Sequence, residues 1–64
     1  MVKINGEETN AAGSTLEDYI AGAGYDEKRV AVELNGGIVP KARYKDTVLS
    51  DGDSVEVVSF VGGG

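Results

Sequence analysis

Hydrophobic positions recur with a period of two near both ends of the chain and with a helical period between them. Val2 and Ile4 alternate with Lys3 and Asn5, so residues 1–5 read as a strand with one buried face. Asn5-Gly6 follows, a pair suited to a two-residue hairpin because both turn positions need positive φ. The return strand falls at residues 7–10, although these are poor strand formers. Ser14 and Glu17 are spaced as a capping box that opens a helix. Leu16, Tyr19, Ile20 and Ala23 then place one apolar stripe on it, and Gly24 suits its end. Gly22 weakens the last turn, and a helix this short is stable only when packed on a sheet. Tyr19 therefore belongs to the core, whereas Tyr25 and Tyr44 fit surface or core equally.

In the second half, Val30, Val32 and Leu34 alternate with Ala31 and Glu33 in a third strand. Asn35-Gly36 turns it into Ile38-Val39, and Pro40 limits further pairing, as at a sheet edge. Residues 43–49 are irregular, with a helical turn around Tyr44. Asp51-Gly52-Asp53 is a tight turn, and residues 54–61 form the last strand, with Val55 and Val57 facing the core. A hairpin, a helix, a second hairpin and a final strand predict an α+β fold. The last strand lies centrally, parallel to the first, in a mixed sheet with the one main helix packed across it. That plan is the ubiquitin-like β-grasp. It gives one domain over residues 1–61 and a flexible glycine tail over 62–64.

Composition narrows the function classes. A chain of 64 residues buries only about 60% of its unfolded surface, so the core is small. No cysteine and no histidine are present, which removes the disulfide, the thiol nucleophile, the usual general base and the commonest metal ligand. The net charge is −5 with scattered basic residues, which argues against nucleic acid and favours a partner surface rich in Lys and Arg. No run has the length of a membrane span and the amino terminus lacks a signal-peptide pattern, so a cytoplasmic, monomeric protein is expected.

The strand-like run Val55–Val61 passes directly into Gly62-Gly63-Gly64. Glycine lacks a Cβ, so such a tail can thread a narrow channel and present its terminal carboxylate inside another enzyme. Glycine-rich ends also occur as frayed termini without a role. The rest of the second half separates these readings. Val30-Ala31-Val32-Glu33-Leu34-Asn35-Gly36, Ile38-Val39-Pro40, Thr47-Val48-Leu49, Asp51-Gly52-Asp53, Val55-Glu56-Val57-Val58 and Phe60-Val61-Gly62-Gly63-Gly64 together resemble the ThiS family of sulfur carriers in thiamine biosynthesis. The first half matches in pattern and length. Gly62 adds a third glycine before the Gly63-Gly64 pair, which makes the tail costlier to order on binding.

The resemblance implies a protein co-substrate rather than an enzyme. An E1-like, ThiF-like enzyme would spend ATP to adenylate the Gly64 carboxylate. A sulfur donor, such as a cysteine desulfurase or a persulfide protein, would then replace AMP and leave a thiocarboxylate. A ThiG-like thiazole synthase would accept the sulfur. No catalytic side chain, bound cofactor or metal is implied for the chain itself. Residues 61–64 extend about 13 Å, at roughly 3.3 Å each. That is enough for Gly62 and Gly63 to thread a pocket while the body docks outside.

Val58 and Phe60, with Val61 beside the tail, form the candidate docking patch. The competing reading makes Phe60 a structural cover for a loop. Asp51 and Asp53 resemble part of a calcium loop but lack the later ligands, so they are read as turn residues. Asn35-Gly36-Gly37 is no phosphate loop, having neither the Lys-Ser/Thr nor the following helix. Other carriers remain open: a molybdopterin-type, a tRNA-thiolation or an amino-acid-biosynthesis carrier. So do a ubiquitin-like modifier of lysines and an interaction domain with an inert tail.

Overall fold

The computed structural model describes residues 1–60. Strand β1 (Val2–Ile4) turns through Asn5 and Gly6 into β2 (Glu7–Thr9). Helix α1 (Leu16–Gly22) and a short 3-10 helix (Glu27–Arg29) lead to β3 (Val30–Leu34). β4 (Gly37–Ile38), a second 3-10 helix (Lys41–Asp46) and β5 (Ser54–Ser59) complete the described chain. Both Asn-Gly turns have positive φ at both positions: 52° and 86° at Asn5-Gly6, 51° and 86° at Asn35-Gly36. These are the two-residue turns whose twist matches that of the flanking strands.

Among the described residues, five strands form one mixed sheet in the order β2-β1-β5-β3-β4. β5 runs parallel to β1 and antiparallel to β3, where five residue pairs from Val30↔Ser59 to Leu34↔Val55 set the register. The last strand is therefore the central one, and the topology is the expected ubiquitin-like β-grasp. β4 holds only two residues at the edge, and Pro40 follows closely, as its missing N–H demands.

One face of the sheet carries the core. Val2, Ile4, Val30, Val32, Val55 and Val57 point to it, and Leu16 and Ile20 of α1 close it from above. Tyr44 is 1% exposed and is the largest fully buried side chain. The second 3-10 helix thus contributes to the core what the sequence left open between core and surface. Tyr19 and Tyr25 are half-buried and pack against the same cluster. Each fully buried Val, Leu or Ile contributes about 1.5–3 kcal/mol by its transfer from water.

Three local expectations need correction. The helix cap is Thr15, not Ser14: the Thr15 hydroxyl accepts the Asp18 N–H at 3.1 Å. Ser14 lies in the bend before the cap, where its carbonyl accepts the Leu49 N–H at 2.8 Å, and the extended Thr15 bridges Val48. The helix cannot begin until that bridge ends. Ala23 is exposed and serves as the C-cap rather than as a stripe residue. Gly24 (φ +85°) and Tyr25 donate to the Ala21 and Ile20 carbonyls, which completes a Schellman ending. Finally, β2 ends at Thr9 instead of residue 10, since the Thr9 hydroxyl turns back to donate to the Val2 carbonyl at 2.9 Å.

Candidate functional site

β5 delivers the chain to the glycine run, so the site is built outward from its rigidity. Pairing on both sides fixes its direction, and the ladder continues one step beyond its end. The Phe60 N–H donates to the Arg29 carbonyl at 2.7 Å. Phe60 is therefore the last anchored position among the described residues. Val61, Gly62, Gly63 and Gly64, the candidate tail and activation residues, lie outside them.

Two asparagine side chains reinforce the strand. Asn5 grips Val57 through both backbone groups: its amide oxygen accepts the Val57 N–H at 2.7 Å and its Nδ2 donates to the Val57 carbonyl at 3.3 Å. On the other side, the Asn35 amide oxygen accepts the Ser54 N–H at 2.9 Å, and its Nδ2 donates to Asp53 Oδ1 at 3.0 Å. Asp53 also accepts the Ser50 N–H at 2.8 Å, so the turn before β5 is locked. Ser50 and then Asn35 hold the Asp53 carboxyl below its ordinary value. This occupies the aspartate in turn-making, as the sequence reading expects. Among the described residues no cluster of carboxylates suits a metal ion.

Alternation on β5 sends Val55 and Val57 to the core and Glu56 and Val58 to the opposite face. Val58 is 57% exposed and Phe60 56%. The reading of Phe60 as a structural cover does not fit that exposure. Ile38 on β4 is 69% exposed and pairs with Glu33 across the edge. Ala31, Glu33, Ile38, Glu56 and Val58 line a shallow depression on this open face. Sequence reasoning identified Val58 and Phe60 but missed Ala31, Glu33 and Ile38. Their alternation was legible; their register against β5 was not.

Ionisable groups with shifted pKa values lie elsewhere. Burial pushes the Tyr44 and Tyr19 hydroxyls up, with smaller contributions from nearby Glu27 and from Tyr25 and Glu7, respectively. At the start of β3 the Lys41 ammonium donates to the Val30 carbonyl at 2.7 Å. It occupies an acceptor that the short β4 cannot reach. Among the described residues no helix is long and apolar enough to cross a membrane. The described residues offer a body with one open sheet face that carries Val58 and Ile38, close to Phe60, the last of them.

Comparisons with known proteins bear on this geometry. The model of the ThiS family matches residues 2–64. The chain is 38% identical to the sulfur carrier protein ThiS of Bacillus subtilis and 41% identical to that of Thermus thermophilus, each match covering the whole of both chains. It is 48% identical over 62 residues to a thiazole synthase of Paramagnetospirillum magneticum, covering 95% of this chain and 19% of that one. The chain thus spans about a fifth of the length of the thiazole synthases that it matches. The crystal structure of a thiamine biosynthesis protein (ThiS) from Geobacter metallireducens superposes with a TM-score of 0.77 at 28% identity, covering 98% of this chain and 97% of that one.

Proposed function

This chain belongs to the ThiS family, and on that premise we propose that it is a sulfur carrier whose reactive group is the carboxylate of Gly64. The observation that carries the reading is that the family match runs through residue 64, glycine run included. A carboxylate resists nucleophiles because of its own charge. Attack of its oxygen on the α-phosphorus of ATP expels pyrophosphate and gives an acyl-adenylate. The terminal sulfur of a persulfide then attacks the acyl carbon and expels AMP. Reductive cleavage of the resulting acyl disulfide by a thiol leaves the thiocarboxylate. An E1-like, ThiF-like enzyme supplies the adenylation site, and a cysteine desulfurase or persulfide protein supplies the sulfur.

The chain contributes position rather than catalysis. Its paired strand β5 fixes the root of the tail at Phe60. Gly62 and Gly63 give the tail a cross-section that fits a narrow entry. Val58 and Phe60, exposed beside that root, dock the partner with Val61. The acceptor is a thiazole synthase, a choice favoured over molybdopterin and tRNA pathways by relatives of that name.

Intact mass after incubation with ATP, a sulfur source and the cell's own adenylating enzyme tests the reading. Exchange of one oxygen for sulfur, localised to the Gly63-Gly64 peptide, is the expected result. Gly64→Val should remain folded and acquire neither adenylate nor sulfur. Normal adenylation of that variant, or an unchanged mass for the unaltered chain, rejects the proposal.

A further inference from the structure

The open face of the sheet carries two cross-strand charged pairs of opposite character. Lys3 and Glu8 stand directly opposite each other on β1 and β2, an attractive pair. Glu33 and Glu56 stand directly opposite each other on β3 and β5. Backbones of such antiparallel partners lie about 4.5–5.5 Å apart, and like charges so placed destabilise a sheet. Both glutamates are exposed, and neither takes part in the ion pairs found among the described residues. They sit in the depression whose other walls are Ala31, Ile38 and Val58. The chain therefore keeps a repulsive pair at the centre of its uncovered apolar face.

We infer that Glu33 and Glu56 together seat a lysine or arginine side chain of a protein partner, whose apolar surface covers Ile38 and Val58. The inference rests on the carrier reading, and the partner it names is the adenylating enzyme. Charge complementarity decides the occupant. A second copy of this chain would bring its own Glu33 and Glu56 and a net charge of −5 to the contact. A nucleic acid would be repelled for the same reason. A cation from a partner relieves the repulsion between the strands, so docking gains what the free domain forgoes. The apolar walls exclude water from the pairing and strengthen it.

The test is titration calorimetry of the adenylating enzyme from the same cell with the unaltered chain and with the Glu33→Gln/Glu56→Gln double variant. The dissociation constant is expected to rise at least about tenfold and its salt dependence to flatten. The double variant should melt at or above the temperature of the unaltered chain, because a like-charge pair has gone. Affinity within about twofold of the unaltered chain, weaker binding accompanied by a lower melting temperature, or no binding by the unaltered chain overturns the inference. If the charge effect is found but no sulfur is ever gained, the carrier reading fails and the docking stands. Normal sulfur gain with unchanged affinity has the reverse meaning.

Discussion

Asn5 does two jobs that compete in most residues: it adopts φ 52° in the turn and holds Val57 with both ends of its amide. Glycine keeps the turn geometry but loses the amide. Asn5→Gly is therefore expected to cost about 1–2 kcal/mol for the two side-chain hydrogen bonds, less any relief of backbone strain. Asn5→Ala adds the left-handed penalty of about 1 kcal/mol. Urea denaturation of both variants measures these effects, and a glycine variant as stable as the unaltered chain would show that the amide contacts contribute no more than the strain that glycine relieves. Asp53 makes a pH-dependent contribution. Its folded pKa lies below the ordinary 3.8, held there by Ser50 and Asn35. Its contribution is thus present above the unfolded value and is lost as pH falls through the folded one. The stability gap between the unaltered chain and Asp53→Asn should be full near neutrality and shrink below about pH 4, as parallel melts across pH will show.

Among the elements, α1 depends most on its surroundings. At seven residues it is too short to persist alone. Its start is fixed by the Thr15 hydroxyl and by the Leu16 N–H, which donates to the Thr47 carbonyl at 2.7 Å. Glu17 and Asp18 in the first turn complement the helix dipole. Thr15→Ala should cost about 1 kcal/mol, while Thr15→Ser, which keeps the hydroxyl, should cost much less. For a domain of this size the alanine variant should melt about 4–8 °C lower. Equal melting temperatures for the two variants would assign the helix start to the Thr47 contact alone.

At the scale of the whole sheet, the described residues form a layer on one side only. α1 and the buried Tyr44 close the core face, while Ile38, Val58 and Phe60 leave the opposite face uncovered. Core losses therefore have little to fall back on. Tyr44→Ala should cost about 3–5 kcal/mol. A domain this small has roughly 5 kcal/mol in total. Loss of the cooperative thermal transition by circular dichroism is the expected outcome. A variant that melted within a few degrees of the unaltered chain would mean that the second 3-10 helix can collapse onto the space.

The pattern of residues alone determined the strands, both turns and the helix, apart from their ends. Those features rest on local periodicity and on the φ that Asn-Gly prefers, which neighbours in sequence decide. The core face and the exposure of Val58 and Phe60 followed from the same alternation. Only the tertiary structure could move the helix cap from Ser14 to Thr15, because the competing hydrogen bonds come from residues 47–49, far along the chain. It alone placed Tyr44 in the core, since an irregular segment carries no periodicity to read. Register is likewise a property of two strands and not of either one. Glu33 and Glu56 are 23 positions apart in sequence and meet only because β3 and β5 pair as they do.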